Sequence, residues 1–248
     1  MLASLATPLP VSAQQADADL VLVGAGDIST CTNNNDEATA QLLDSIDGTV
    51  FTLGDNAYPN GTAEEFATCY EPTWGRHKSR TRPTPGNHDY YTVGAAPYFE
   101  YFGASAGTSA ESYYSYEVGS WHVVALDSNI PVTAGSPQER WLRDDLAAHP
   151  TECTLAYWHY PLFGSGTRGG DARMRALWEP LYAAGADVIL NGHQHNYERF
   201  DPQNPGGRLD PNGIRQITVG TGGASLGGFG EVQPNSVVPT TRLTGCSS

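Results

Sequence analysis

Short apolar runs alternate with amphipathic stretches along most of the chain. A near-continuous apolar run at residues 19–25 predicts a strand that is covered on both faces of a sheet, and residues 49–53 predict a second strand. Between them, residues 36–47 place apolar side chains at helical spacing after Asn and Asp residues that favour a helix start, which predicts a helix. The same order of strand and helix recurs as far as residue 219. It indicates an α/β domain.

The later part of the chain follows this pattern with two exceptions. A helix is predicted to begin at Ser136-Pro137, because Pro is favoured at the first helical position. No helix or strand is predicted for residues 90–117, which are rich in Gly and Tyr. Residues 231–248 do not resemble sheet and are predicted to form an irregular tail. The remaining predicted strands are residues 81–84, 121–126, 154–158, 187–190 and 214–219, and the remaining predicted helices are residues 62–70 and 171–184.

Composition and charge narrow the classes of partner. The chain has 248 residues, 39% of them hydrophobic and 16% charged, which is typical of a globular protein. A formal net charge of -14 argues against binding of nucleic acid or an anionic membrane through a basic face. The same charge repels an anionic substrate, a difficulty that bound metal ions would solve locally. No segment is long and apolar enough to predict a membrane span.

The N-terminus and the cysteines favour an oxidising compartment. Residues 1–18 read as a signal-like segment with a small-residue cleavage site, and a plain disordered segment is the open alternative. Cys31 and Cys69 lie in polar, loop-like stretches, each a few residues beyond an Asp-bearing turn, and we predict that they form a disulfide. Cys153 opens a predicted strand and is expected to be a buried thiol. A secreted or periplasmic protein is therefore expected.

Five predicted strands end in polar side chains of the types that bind metal ions. Ligands of open α/β sheets bind at the carboxyl ends of the strands, so these side chains are expected to converge. For any one of them, capping of the following helix is an ordinary role, and a lone His-x-His pair is often a polar surface feature. The set favours a metal cluster, because caps need no histidine at matching positions. The positions are Asp27, Asp55, Asn87, His159 and the pair His193/His195.

These residues belong to five sequence blocks that resemble the calcineurin-like metallophosphoesterase superfamily and, within it, the purple acid phosphatases. The tyrosine three residues after the second aspartate, Tyr58, is typical of purple acid phosphatases. The resemblance implies a four-layer αββα sandwich, with a catalytic domain at residues 19–230 and two metal ions at the strand ends; an incomplete C-terminal sheet is an open alternative. The blocks are Gly26-Asp27, Gly54-Asp55-Asn56-Ala57-Tyr58, Gly86-Asn87-His88-Asp89, Ala156-Tyr157-Trp158-His159 and Gly192-His193-Gln194-His195.

The resemblance also implies how the metal ligands divide. The first set has two anionic ligands besides the bridging one, and hard anionic oxygens favour Fe(III). The second set is richer in neutral nitrogen and oxygen, which suits Fe(II), Zn or Mn. The first ion would be held by Asp27, Tyr58 and His195, the second by Asn87, His159 and His193, and Asp55 would bridge the two.

The remaining expectations concern the substrate. His88 is next to a ligand but absent from the ligand set, so it is expected to protonate the leaving group; hydrogen bonding to a ligand is the alternative role. Tyr160 stands where the purple acid phosphatases have a substrate-binding histidine, and the following loop supplies only Arg168. Both residues are candidate substrate contacts.

The sequence therefore predicts a metal-dependent phosphatase that hydrolyses phosphate monoesters with water or hydroxide activated by two metal ions. Two alternatives stay open: a phosphodiesterase or nucleotidase on the same site, and a non-catalytic phosphate- or metal-binding protein. The expected partner is a small phosphoester. No nucleic-acid or membrane partner is expected, and no oligomeric state is predicted.

Overall fold

The computed structural model describes residues 21–151 and 153–240. The signal-like or disordered segment expected at residues 1–18, the last eight residues and Cys246 lie outside the described residues. No helix among the residues that the structure describes is long and apolar enough to cross a membrane.

The described residues contain strands that are two to six residues long. The strands are β1 (Leu22–Ala25), β2 (Ser29–Thr30), β3 (Thr49–Leu53), β4 (Ala57–Tyr58), β5 (Thr81–Thr84), β6 (Tyr114–Val118), β7 (Trp121–Ala125), β8 (Cys153–Trp158), β9 (Val188–Asn191), β10 (Tyr197–Phe200), β11 (Arg215–Val219) and β12 (Ser236–Thr240).

Helices connect most of these strands. The helix predicted at residues 62–70 is confirmed in two parts. A short α-helix begins with a capping box between Thr62 and Glu65, and a π-helix continues it. The helix predicted at residues 171–184 likewise begins as a 3-10 turn, Ala172–Met174. The α-helices are α1 (Asn35–Asp44), α2 (Ala63–Glu65), α3 (Ala96–Phe102), α4 (Pro137–Ala148) and α5 (Arg175–Ala183), and the π-helix is Phe66–Tyr70.

Two sheets form the centre of the domain. The small sheet has the order β1-β3-β5 and is wholly parallel. The large sheet has the order β12-β10-β11-β9-β8-β7-β6, in which β7, β8, β9 and β11 are parallel and the outer strands run antiparallel to their neighbours. A two-stranded ribbon, β2-β4, extends from the ends of the small sheet. The seven strands predicted from apolar runs are all present, with small shifts at their ends.

The two sheets pack face to face and carry helices on their outer faces. Phe51 and Leu53 of β3 contact Val123 and Tyr157 of the large sheet in an apolar layer between the sheets. Helices α4 and α5 pack on the large sheet through a cluster centred on Trp178, and α1 and α3 pack on the small sheet. Each fully buried large apolar side chain contributes about 1.5–3 kcal/mol to stability. The four-layer αββα sandwich that the resemblance implies is confirmed.

The sequence prediction was wrong at two places in the chain. The segment at residues 90–117, to which no element was assigned, contains α3 and β6. The tail predicted to be irregular contains β12, which pairs with β10 as an edge strand through residues Tyr197 and Thr240. The strand β12 is specified by pairing with the distant β10, and β6 is specified by its hairpin with the neighbouring β7, because alternation in such short segments is weak without a partner. The large sheet therefore continues past the domain boundary predicted at residue 230.

Candidate metal centre

Tight turns after the strands bring the polar residues of the five blocks to one place. Four of these residues adopt left-handed backbone conformations, which cost a non-glycine residue roughly 1–2 kcal/mol each. Such strain persists where the surrounding structure enforces it, and it concentrates at functional sites. The four residues are Asp27 (φ 59°), Asp55 (φ 52°), His193 (φ 69°) and His195 (φ 35°).

Two of the glycines in these turns are required by close packing against the acidic residues. A Cβ atom on Gly86 would lie 2.2 Å from both the backbone nitrogen and Oδ1 of Asp55. A Cβ atom on Gly220 would lie 2.7 Å from Oδ2 of Asp27. Real Cβ atoms do not approach other atoms this closely, so a side chain at either position would displace the carboxylate.

The first predicted ligand set is assembled around the hydroxyl of Tyr58. This hydroxyl lies 2.8 Å from Oδ1 of Asp27 and 3.0 Å from Nε2 of His195. Nε2 of His195 is 3.1 Å from the same Asp27 oxygen. The His195 Nδ1 donates to the Ser225 carbonyl at 2.8 Å, and a carbonyl oxygen can only accept, so a neutral ring presents its lone pair at Nε2 toward the cluster.

The second predicted set is assembled around His159, whose side chain is fully buried. Its Nδ1 donates to the Leu53 carbonyl at 2.7 Å. Its Nε2 lies 3.1 Å from Oδ1 of Asn87 and 3.2 Å from Nδ1 of His193. The Asn87 amide nitrogen donates to the Tyr91 hydroxyl at 3.3 Å, which turns the Asn87 oxygen toward the cluster.

Asp55 lies between the two sets. Its Oδ2 is 2.9 Å from the Tyr58 hydroxyl and 3.3 Å from Nε2 of His159. Its Oδ1 accepts the backbone N–H of His88 at 2.8 Å, which fixes the orientation of the carboxylate. The Asp55 carboxylate lies within 4.8 Å of candidate metal-binding atoms in each of the two sets. The structure thus brings together all seven residues that the sequence assigned as ligands.

The oxygen and nitrogen atoms that converge in this cluster fit a bound cation, and the pKa shifts of its residues agree with that. Burial lowers the pKa of His159, but the charge of Asp55 outweighs burial and raises that pKa to about 9. Burial and then the charge of His159 lower the pKa of His193 to about 3, so the proton resides on only one of this facing pair. Burial, followed by the charges of Asp27 and Asp55, raises the pKa of the Tyr58 phenol well above its usual value. Protons occupy the positions where acceptor atoms converge, and bound metal ions would take the place of these protons.

Comparison with known proteins agrees with this geometry. The family model described as calcineurin-like phosphoesterase matches residues 4–197, most of the chain. The chain belongs to this family. Among curated relatives it is similar to purple acid phosphatase 15 of Arabidopsis thaliana, with 29% identity over 87% of this chain and 47% of the relative, and to purple acid phosphatase 18, with 30% identity over 75% and 46%.

Solved structures show the same fold for this calcineurin-like phosphoesterase. Purple acid phosphatase PPD1 from yellow lupin seeds superposes with a TM-score of 0.70 at 20% identity, covering 89% of this chain and 47% of that one. GAP50, the anchor in the inner membrane complex of Plasmodium, superposes with a TM-score of 0.66 at 15% identity. The chain spans about half the length of the purple acid phosphatases it matches.

Within this family framework, His88 lies beside the cluster. Its Nδ1 donates to the Pro59 carbonyl at 2.6 Å, and its ring packs against Tyr58 at 4.4 Å between centroids. Its Nε2 is 3.9 Å from Oδ2 of Asp55, farther than the predicted ligand atoms. Among the described residues Nε2 has no hydrogen-bonding partner. This nitrogen is therefore free to exchange a proton with a bound molecule.

The two predicted substrate contacts lie beside the second set. Arg168 donates through Nη1 to the His193 carbonyl at 2.6 Å, which holds the guanidinium next to the cluster. The Tyr160 ring packs edge-on against the His193 ring at 4.6 Å between centroids. Both residues line a polar cavity of about 240 Å³ that also contacts Asp171. The positions of Arg168 and Tyr160 are compatible with contact to a substrate.

Buried acidic residues behind the cluster were not assigned roles from the sequence. Asp89 is fully buried and accepts hydrogen bonds from the Gly86 and Asn56 backbones at 2.8 and 3.2 Å, so it fixes two of the turns. Burial, and then the charge of Asp55, raises the pKa of Asp89 to about 7. Asp127, at the end of β7, accepts from Tyr90 and Ser112 at 2.7 and 2.6 Å. In the sequence, Asp127 is marked only by its position directly after a predicted strand, and Asp89 only by its place in the third block.

A disulfide closes the loops next to the first set. Cys31 and Cys69 are bonded, with their Cα atoms 5.3 Å apart, as the sequence predicted. The bond ties the segment after β2 to the π-helix that follows the second block. Cys153 is only partly buried, so the expectation of a buried thiol there is wrong. Cys153 is the first residue of β8, and solvent reaches the strand at this end.

Proposed function

We propose that this chain hydrolyses phosphate monoesters at a binuclear metal centre. The observation that carries the proposal is the position of Asp55, whose Oδ2 lies within 3.3 Å of donor atoms from both ligand sets. A single carboxylate oxygen placed between two sets of oxygen and nitrogen donors is the arrangement that two bridged ions require. Membership of the calcineurin-like phosphoesterase family and similarity to purple acid phosphatases support the same reading.

The donor chemistry supports an unequal pair of ions. On metal binding, Asp27 and Tyr58 would supply anionic oxygens to the first set, the phenol giving up its proton to the bound ion, and such a set favours Fe(III). Asn87, His159 and His193 supply neutral donors to the second set, which suits Fe(II), Zn or Mn. Backbone carbonyls hold His159 and His195 in the tautomer that leaves Nε2 free to bind.

The chain's own residues would do the rest of the chemistry. When bound, two metal ions would polarise the phosphoryl group and activate the attacking water. The Arg168 guanidinium would neutralise a phosphoryl oxygen, and Tyr160 would line the approach to it. As the bond between phosphorus and the ester oxygen breaks, His88 in its doubly protonated form would donate the Nε2 proton to the leaving oxygen and keep the Nδ1 proton on the Pro59 carbonyl. The Pro59 carbonyl keeps the other ring nitrogen of His88 engaged, so the ring is held in one orientation.

A non-catalytic phosphate- or metal-binding role is the second candidate. It is favoured by similarity to probable inactive purple acid phosphatase 1 of Arabidopsis thaliana, which is 26% identical over 79% of this chain. The presence of His88 with an unengaged Nε2 argues for catalysis instead.

Three measurements test the proposal. Elemental analysis should find two transition-metal ions per chain, and a visible charge-transfer band should accompany Fe(III). The loaded protein should hydrolyse p-nitrophenyl phosphate faster than bis(p-nitrophenyl) phosphate. Metal binding without hydrolysis of either compound supports the non-catalytic role, and preference for the bis ester supports a phosphodiesterase.

We further propose a small phosphoester as the partner, with neither nucleic acid nor a membrane as ligand, and a secreted or periplasmic location. The charge of -14 and the disulfide motivate these proposals. Mass mapping of protein recovered from its native compartment checks the location. Free Cys31 and Cys69 thiols there would contradict it.

A further inference from the structure

An exposed tyrosine, Tyr91, stands beside the proposed general acid. Tyr91 is 60% exposed, whereas Tyr98 farther along the same Tyr-rich segment is fully buried. The Tyr91 ring lies 4.6 Å from the His88 ring between centroids, tilted by 52°. An aromatic side chain of this size that packs against a single imidazole leaves most of its surface available to a bound molecule.

Hydrogen bonds restrain Tyr91 at its hydroxyl and at its backbone. Its hydroxyl accepts from the Asn87 amide nitrogen at 3.3 Å. Its backbone N–H donates to the His88 carbonyl at 3.2 Å. The ring is therefore ordered before anything binds, which reduces the entropy lost when a ligand packs on it.

The position of Tyr91 relative to His88 determines which part of a substrate it would meet. His88 would deliver a proton to the leaving oxygen, so the atoms bonded to that oxygen must lie against His88. The neighbouring surface there is the Tyr91 ring. A second aromatic ring, Tyr160, lies instead beside His193 of the second ligand set.

We propose that Tyr91 is a specificity-determining residue that favours phosphate monoesters with a planar aromatic leaving group. This inference rests on the proposed function and deepens it. A planar ring can stack on the tyrosine face or meet it edge-on, and a saturated ring of the same size gains less from either geometry. The aromatic group could be an aryl alcohol or the base of a nucleotide, and both offer the same π-face.

The test compares two substrates that differ in planarity and have leaving groups of similar basicity. These are benzyl phosphate and cyclohexylmethyl phosphate. We expect kcat/KM to favour benzyl phosphate by about 2- to 12-fold, the range of an aromatic pair beyond area burial. Tyr91→Phe should keep this ratio, because the ring remains, even if loss of the acceptor for Asn87 slows both substrates equally. Tyr91→Leu should bring the ratio close to one.

Two control variants locate the effect. Val93→Ala changes a side chain that is 90% exposed in the same segment and should leave rate and ratio unchanged. Tyr160→Leu should keep the ratio. If Tyr160→Leu abolishes the preference and Tyr91→Leu does not, the assignment to Tyr91 is overturned. A ratio near one in the unmodified protein overturns it as well, while turnover of both substrates leaves the proposed function standing.

A binding measurement separates this inference from catalysis. Benzylphosphonate and cyclohexylmethylphosphonate have no ester bond to break, and calorimetry on the metal-loaded protein can compare their affinities. Tighter binding of benzylphosphonate that is lost in Tyr91→Leu supports the inference even if hydrolysis fails. Equal binding of the two phosphonates contradicts it.

A third comparison identifies the source of the aromatic group. A nucleoside 5′-monophosphate is compared with ribose 5-phosphate, which lacks the base. A preference for the nucleotide that depends on Tyr91, found in addition to the preference for benzyl phosphate, assigns the ring to a base, and a preference confined to benzyl phosphate assigns it to an aryl alcohol. Absence of preference in both comparisons overturns the inference.

Discussion

Oδ2 of Asp55 lies 3.3 Å from Nε2 of His159, and this contact joins the two sheets of the sandwich. Asp55 follows β3 of the small sheet, and His159 follows β8 of the large sheet. We predict that Asp55→Asn loses both metal ions, because the carboxylate charge serves both ligand sets. His159→Ala should weaken chiefly the second ion. Elemental analysis of each variant measures the outcome, and two full equivalents of metal in Asp55→Asn would rule out the bridging role.

Replacement of His88 should affect substrates unequally. A general acid contributes roughly 10²–10⁴-fold to rate, and its contribution grows with the basicity of the leaving group. We expect His88→Ala to retain its metal ions, to lose most of its rate on alkyl phosphates and to lose little on p-nitrophenyl phosphate. Steady-state kinetics with both substrates check this. An equal loss on both, with metals intact, would assign His88 to binding rather than proton transfer.

A methyl group at Gly86 should disrupt the centre. The Cβ atom would lie 2.2 Å from Oδ1 of Asp55, so the carboxylate must move. We expect Gly86→Ala to lower metal affinity by at least the 10–100-fold seen when an outer partner of a ligand is lost. Gly228→Ala is the matched control, because its new Cβ would contact only Thr167 at 3.9 Å. Similar metal titrations for the two variants would show that the turn tolerates the displacement.

The Cys31–Cys69 disulfide should stabilise the loops beside the first ligand set. The two cysteines are 38 residues apart in sequence, and on the chain-entropy model closing such a loop contributes about 3–4 kcal/mol to the free energy of unfolding. We expect the double variant Cys31→Ser, Cys69→Ser to lose this amount in urea denaturation. A change in stability below about 1 kcal/mol would indicate that the native packing supplies the constraint.

A buried histidine away from the centre should make stability depend on pH. His122 is almost fully buried, with Nδ1 at 2.7 Å from Glu117 and Nε2 at 2.8 Å from Asp145. Burial lowers the pKa of His122, but its hydrogen bonds to these carboxylates outweigh burial and raise it. Because the folded pKa exceeds the unfolded value near 6.5, the stabilisation is complete below pH ~6.5 and is lost as pH rises through the folded pKa.

We therefore expect the free energy of unfolding of the metal-loaded protein to fall as pH rises above ~6.5 through the folded pKa of His122. His122→Gln should flatten this dependence, since an amide does not titrate. Urea midpoints at pH 6 and pH 9 measure the difference. With metal ions bound as proposed, His159 and His195 would be held as neutral ligands, so their titration would not add to the change. Equal slopes in the two proteins would assign the pH dependence to other groups.

The sequence alone determined the strand ends and the residue types placed there. Apolar runs such as those of β3 and β8 are local signals, and the polar residue after each run marks the point where the strand leaves the sheet. Because the parallel strands of one sheet align their carboxyl ends, the convergence of Asp27, Asp55 and Asn87 beyond the small sheet was predictable. The disulfide was predictable for a similar reason, since both cysteines follow blocks that meet at the same edge.

Only the tertiary structure decided the features that depend on distant partners. The strands β10 and β12 are specified by pairing in the large sheet rather than by their own residues. The carbonyls of Leu53 and Ser225 fix the His159 and His195 tautomers from 106 and 30 residues away in sequence. The contact of Tyr91 with His88 depends on which way each ring turns out of the loop, and local sequence does not fix that direction. Hydrophobic periodicity reports which side of an element is buried, whereas these contacts arise from the way that separate elements pack together.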